Sequence, residues 1–394
     1  GELFGSSSAH AQSFTPNTIA PLATTTVVSP TTGKTYQIPP GFKFVPMDGT
    51  TGGCDFLANP WEMSHYDLHN RIMTTTGAMS KWKGCVEARP TAAELAFFSK
   101  PVLDDYDVKE IPPNAADPSS LFVPYFWPDE PDWNTATLAY SAPQVYSSAV
   151  GGYHNNYLPD FAWPAAWNWW NTDKNDSGDY FLKYDGVTPA VIKETWPNTV
   201  GPNASCPDEV LRLSSNKAAV TTKIAGLGYW YNGGTVISEG LMWAWRTLSP
   251  NKPYGDGKPY GTANNNKVIV LMTDGVNGLA TSADSNNISD YSAYGYLGAN
   301  RLKIGDAVTS FDQLAGFLDA RTIMACTNAK AAGVKIYTIL FNHGLDATQT
   351  ARSVSLLTQC ATQNNFFYHA TDLTSLNSAF SSIAGGMGKL RLVK

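Results

Sequence analysis

The chain has 394 residues, 27 Lys+Arg against 33 Asp+Glu, 43% hydrophobic and 12% aromatic residues. That is enough apolar material for a sizeable core, and it excludes wholesale disorder, which needs low hydrophobicity and high net charge. The net charge of −6 comes with no basic stripe, so nucleic acid is not an expected partner, and no apolar run approaches the ~20 residues that span a bilayer.

Residues 1–53 are rich in Ser, Thr and Pro and read as an extended segment with isolated strands near 24–28 and 42–46. The small-residue Ala-x-Ala-like stretch near the start has no apolar run before it, so no signal peptide is expected. Residues 60–75 read as a partly exposed helix. Within it His65 and His69 lie four apart on one face, a spacing that could grip a metal but more simply makes a structural pair.

Residues 101–206 are the least regular part. Seven of the twelve tryptophans fall between Trp127 and Trp196, among Pro, Asn, Asp and Gly. Trp163, Trp167, Trp169 and Trp170 either form the aromatic core of an insertion or a stacking face for a sugar or a partner protein. Asp129, Glu130 and Asp132 form an acidic cluster that reads as a solvated turn, with a Ca²⁺-stabilised loop as the alternative.

From Glu209 the sequence becomes periodic. A helix capped by Ser214 or Ser215 runs to about Leu227, and a second covers 236–247 after the Gly233-Gly234-Thr235 break. Residues 267–272 are a continuous apolar strand, the pattern of a strand buried on both faces of a parallel sheet. A helix over 310–332 places Phe311, Leu314, Phe317, Leu318 and Ile323 on one side and stops at Gly333. Then come a strand over 334–341, a helix over 347–361, a short strand over 366–369 and a terminal helix over 373–383. Alternating strands and helices predict an open α/β sheet, parallel with crossover helices.

Ligands of such sheets sit beyond the carboxyl ends of the strands. Asp274 stands there, in Thr273-Asp274-Gly275, and the Thr235 loop opens the helix just before that strand. A carboxylate and a hydroxyl are hard oxygen donors suited to Mg²⁺ or Ca²⁺. The stretch KVIVLMTDGVN, preceded by GGTVISEGL, resembles the second half of a von Willebrand factor A domain. With WKGCVEARP, LFVPYFWPDEPD, NNYLPD, GGTVISEGLMWAWRTLSP and the tail from Cys326 to Leu392, the chain resembles the TadG-like proteins of bacterial tight-adherence (Flp/Tad) pilus systems.

The resemblance implies a von Willebrand A-like, mostly parallel sheet with helices on both faces, made by residues 54–100 and 207–394 and interrupted by the aromatic-rich insertion 101–206. It assigns Thr235 and Asp274 to a metal-ion-dependent adhesion site. That site is incomplete: the family's Asp-x-Ser-x-Ser loop is absent, the nearest matches being at Asp117 and Asp290, each without the last serine in register. The expected sheet therefore lacks its first strand, to be filled by a missing N-terminal segment, residues 24–46 or a partner chain.

Five cysteines without metal-site spacing favour disulfides in an exported protein. Cys326 and Cys360 lie on helices flanking one strand, Cys85 and Cys206 bracket the insertion, and Cys54 is left over. No G-x-S-x-G, H-E-x-x-H or P-loop occurs, so an enzyme is not expected. His343 follows a strand end at the same sheet edge as Asp274, which sets it apart from the other scattered histidines. The expected function is an extracytoplasmic structural or adhesive subunit of a surface pilus, in the periplasm or on the cell surface, binding partner proteins or surfaces through an A-domain edge and the aromatic insertion. Its partners would be other pilus or surface-assembly proteins, and it would meet the membrane only through a segment absent from this chain. The alternative is a secreted carbohydrate-binding or carbohydrate-active protein that uses the tryptophans.

Overall fold

The structure is a computed structural model. It describes residues 25–28, 35–38, 65, 69, 81–97, 100–128, 130, 133–134, 139–140, 155, 157, 192, 200–228, 234–279, 289–297, 301–302 and 311–389.

Near the start, β1 (Thr25–Val28) and β2 (Thr35–Ile38) pair antiparallel as a two-stranded sheet. A short helix α1 (Ala92–Phe97) and the small strands β3 (Trp133–Asn134) and β4 (Ala139–Tyr140) follow. Helix α2 (Lys217–Ala225) starts at Asn216, whose side chain accepts the Ala219 N–H, and not at the expected serines; none of its residues is buried. Then come α3 (Ile237–Leu248), β5 (Val268–Thr273), α4 (Phe311–Ala331), β6 (Lys335–Phe341), α5 (Ala347–Cys360), β7 (Phe367–Ala370) and α6 (Leu373–Lys389).

Strands β5, β6 and β7 form a parallel sheet in that order. β6 is central because its side chains alternate onto two apolar layers. On one face Ile269 and Ile336 meet Leu241, Met242 and Trp245 of α3 and Ala325, Cys326 and Ala329 of α4. On the other, Tyr337 and Ile339 meet Ala379 and Ile383 of α6. Each crossover helix has its own signals. Asp346 and Gln349 form a reciprocal capping box at the start of α5, and Gly333, at φ +85°, ends the run after α4. Cys326 and Cys360 are bonded and wholly buried, tying α4 to α5. Lys330 adds a tie by donating to the Gln359 carbonyl at 2.7 Å.

Several expectations need correction. Phe317 is 43% exposed; the buried stripe of α4 runs instead through Leu314, Leu318, Ala325 and Ala329. Helix α6 continues past Ile383 to Lys389, and Gly385 and Gly386 do not end it. In β5, Val270 is 37% and Met272 50% exposed, so this apolar run is not buried on both faces.

The described part of the 101–206 region shares the sheet's core. Val108 lies among the α3 and α4 side chains, and Asn328 donates to its carbonyl at 2.9 Å. Cys85 and Cys206 are bonded. Around them Tyr125 N–H donates to the Cys85 carbonyl, Trp127 N–H to Pro202, and Tyr125, Trp127, Ala204 and Tyr291 pack together. Arg89, buried, donates to the carbonyls of Ile111, Ser120 and Lys109 and so folds the 109–120 loop around its guanidinium. Burial and the nearby Arg246 lower its pKa to about 9.

Candidate functional site

The carboxyl edge of the sheet is built outward from the end of β5. Thr273 Oγ1 accepts the Gly275 N–H at 3.3 Å and closes the turn, which leaves Asp274 exposed at its tip. Beside it, Thr235 and Gly278 exchange two backbone hydrogen bonds, of 2.6 and 3.0 Å. This bridge brings the loop of Thr235 against the loop of Asp274. Gly234 is fixed by the same contact: its φ is +66°, and a Cβ there would stand 2.3 Å from the Gly278 carbonyl oxygen.

Sequence reasoning passed over Asn277. It is wholly buried, and its side-chain oxygen accepts the Ile237 N–H at 2.8 Å, the first N–H of α3, where the N-cap residue Val236 offers no side-chain acceptor. Its amide nitrogen donates to Asp319 at 2.8 Å and Thr322 at 3.2 Å on α4. Asp319 in turn accepts from Arg352 of α5 at 2.7 Å. One carboxamide thus ties the Asp274 turn to two helices, and Asp319 carries the link on to α5. The available signal was an Asn three residues after Asp274, inside an otherwise apolar and small stretch.

Thr235 and Asp274 offer two oxygen donors, while Ca²⁺ takes about 6–8 and Mg²⁺ a near-octahedral set. No group of three His, Cys, Asp or Glu is arranged to hold a metal among the described residues. The pair alone therefore does not fit a resident cation. His343 lies on the same edge, exposed and beside the Phe341 ring at 6.3 Å.

His65 and His69 are both helical and each contacts a backbone carbonyl: His65 Nδ1 stands 2.9 Å from the Pro124 carbonyl oxygen, and His69 Nε2 stands 2.9 Å from that of Tyr125. His65 Nδ1 also lies 3.1 Å from Glu87. Arg301 links Glu87 at 2.7 Å with Glu94 at 2.9 Å, and the Tyr291 hydroxyl donates to Glu87. Burial pushes the Glu87 carboxyl up, but His65 and Arg301 outweigh it and hold it below the usual range. A second staple joins Asp107 to Arg321 and to the Tyr294 hydroxyl; burial pushes Asp107 above the usual carboxylate range despite these partners.

Of the acidic cluster, Glu130 is described, and it is not solvated. It is buried and accepts from Trp127 Nε1 at 3.3 Å and from the Asn155 N–H at 2.7 Å, which ties the two aromatic motifs together. Asp129, Asp132, Trp163, Trp167, Trp169, Trp170 and Cys54 lie outside the described residues.

No family model matches the chain, and no curated protein does. Among solved structures, the pilus adhesin SpaC from Lactobacillus rhamnosus GG is similar at 13% identity with a TM-score of 0.29, over 45% of this chain and 22% of that one. The chain thus spans less than a quarter of that adhesin, and a likeness of this size carries no argument about fold or role. No helix of the described residues is long and apolar enough to cross a membrane. The two disulfides fit an extracellular or secreted protein.

Proposed function

We propose that the chain is an extracytoplasmic structural or adhesive subunit of a bacterial surface pilus system of the tight-adherence type, built on a von Willebrand A-like domain. It would bind partner proteins or surfaces through the carboxyl edge of the β5–β7 sheet. The observation that carries this reading is Asp274, exposed at the tip of a parallel strand with the Thr235 loop bridged against it. A ligand group meeting that edge would find a carboxylate and a hydroxyl on a turn that Asn277 holds rigid. The TadG-like motifs support the pilus setting, and the disulfides support export. In this reading the chain is a binding protein and not an enzyme, and Mg²⁺ or Ca²⁺ at Thr235 and Asp274 needs further oxygen donors from the ligand or from water.

The test is surface attachment by a strain carrying Asp274→Ala at normal protein level. Loss of attachment supports the edge as the binding site; unchanged attachment removes it.

A further inference from the structure

Asn232-Gly233 and Asn277-Gly278 are the two Asn-Gly pairs of the chain, and the second lies among the described residues. Such a pair can convert itself. The backbone nitrogen after the asparagine attacks the side-chain carbonyl carbon, and glycine, with no Cβ, hinders that approach least. At Asn277 the fold holds both reacting groups. The side-chain oxygen accepts the Ile237 N–H at 2.8 Å, and the amide nitrogen donates to Asp319 at 2.8 Å and to Thr322 at 3.2 Å. The attacking nitrogen is engaged too: the Gly278 N–H donates to the Thr235 carbonyl at 3.0 Å. Both residues are buried.

The restraint on Gly278 is a small one. Its bridge to Thr235 is one backbone hydrogen bond in each direction, outside the named strands. The fit of the two loops rests on Gly234, where a Cβ would also stand 2.8 Å from the Leu279 Cα. A bridge of this size between two loops opens at a lower free-energy cost than the sheet beneath it, since local openings draw on the contacts of their own segment alone. Opening frees the Gly278 nitrogen and the Asn277 side chain together, because both leave the same packed layer.

We propose that Asn277-Gly278 is a spontaneous deamidation site, shut while the Thr235 bridge is closed and active when it opens. In the open state the Gly278 nitrogen bonds to Asn277 Cγ. The bond from Cγ to the side-chain nitrogen breaks, and that nitrogen leaves as ammonia with the Gly278 amide proton. The ring so formed, a succinimide, takes up one water and opens at either carbonyl, to aspartate or to isoaspartate. Neither product rebuilds the turn. A carboxylate at 277 cannot donate to Asp319 and adds a like charge beside it, and isoaspartate inserts a methylene into the backbone between β5 and the bridge. Conversion is therefore one-way and retires the turn that carries Asp274. It is read on purified protein, so its failure and the failure of the Asp274 attachment test are separate results.

The experiment incubates the full chain in warm, mildly alkaline buffer, native, across a urea series and fully denatured. Fragment mass spectrometry follows conversion at residue 277 as the mass gain of an amide turned acid. Isomerisation at the exposed Asp274-Gly275 pair leaves the mass unchanged and is not confused with it. The expected results are conversion in the denatured chain, conversion at least about tenfold slower in the native one, and a native rate that already rises in urea below the unfolding transition. Gly234→Ala, which pushes on the bridge, and Thr322→Val, which takes an acceptor from the Asn277 amide, should each raise the native rate several-fold with near-UV circular dichroism unchanged. Thr322→Val keeps the test valid if Gly234→Ala fails to fold. No conversion in the denatured chain, or equal rates in the native and denatured chains, overturns the proposal. So does a native rate that both variants leave unchanged, or one that rises only with global unfolding.

Discussion

Asn277 reaches from the turn after β5 to the start of α3, its side-chain oxygen 2.8 Å from the backbone nitrogen of Ile237. Helix starts leave N–H groups without intrahelical partners, and here a residue 40 positions away supplies the acceptor. The candidate edge is therefore as rigid as this carboxamide makes it.

Replacing Asn277 by Ala leaves the Ile237 N–H without its acceptor and withdraws a donor from Asp319. The expected loss is roughly 2–4 kcal/mol of unfolding free energy, the cost of several buried polar groups losing partners. Asn277→Asp should cost more, because a carboxylate cannot donate to Asp319 and adds a like charge beside it. Denaturant titration ranks the variants; an Asp variant as stable as the parent would contradict the donor role.

The two disulfides should differ in size of effect. Their cysteines are 121 and 34 residues apart. The chain-entropy model gives roughly 4–5 kcal/mol for the longer loop and roughly 3–4 for the shorter. Single Cys85→Ala and Cys326→Ala variants, compared by denaturant midpoint, check the order. Both sulfurs of the Cys326–Cys360 bond are fully buried, so a mild reductant should leave that bond intact until the chain unfolds.

The apolar strands and their crossover helices were legible because β6 is a continuous apolar run bounded by turn signals, and periodicity reads such elements well. Val270 and Met272 show the limit: an apolar run predicts burial but does not say whether a second neighbour strand is in place. Residue type places Phe317 inside, yet the buried side of α4 runs through Leu314, Leu318 and the small residues Ala325 and Ala329. Glu130 was misread because its partners include Asn155, 25 residues on, and no local pattern encodes that meeting.

The His65–Glu87 contact sets a pH window. Burial pulls the His65 imidazole down, but the Glu87 carboxylate and the hydrogen bonds to Glu87 and Pro124 outweigh it, and the net direction is up. A raised folded-state pKa means stability fully present below the unfolded value of about 6.5 and lost as pH rises through the folded value. Glu87 is lowered, so its contribution is present above the unfolded carboxylate value of about 4.3 and lost as pH falls through the folded one. Stability from this pair should peak on the mildly acidic side of neutrality. His65→Gln should flatten the decline as pH rises above about 6.5; thermal melts from there upward provide the measurement, and an unchanged slope would exclude the contact as its source.

Arg246 is the last case. It is 2% exposed, lies 4.7 Å from the Trp243 ring and 5.1 Å from Phe122, and faces Glu239 at 3.7 Å, with none of its three guanidinium nitrogens hydrogen-bonded among the described residues. Burial raises the Glu239 carboxyl against the pull of Arg246. Removing only the arginine strands a buried carboxylate, so Arg246→Met should cost roughly 3–5 kcal/mol at neutral pH. The sign follows from the raised Glu239 pKa: its charged form is the unfavourable one, so the loss should shrink as acid protonates the carboxyl. Adding Glu239→Gln removes the stranded charge but keeps an acceptor for Trp243, which bonds Glu239. The double variant should return to within about 1 kcal/mol of the parent, as when buried ion pairs elsewhere are replaced by uncharged side chains. A double variant no more stable than Arg246→Met would mean that the aromatic sandwich of the guanidinium, and not its pairing with Glu239, holds this layer together.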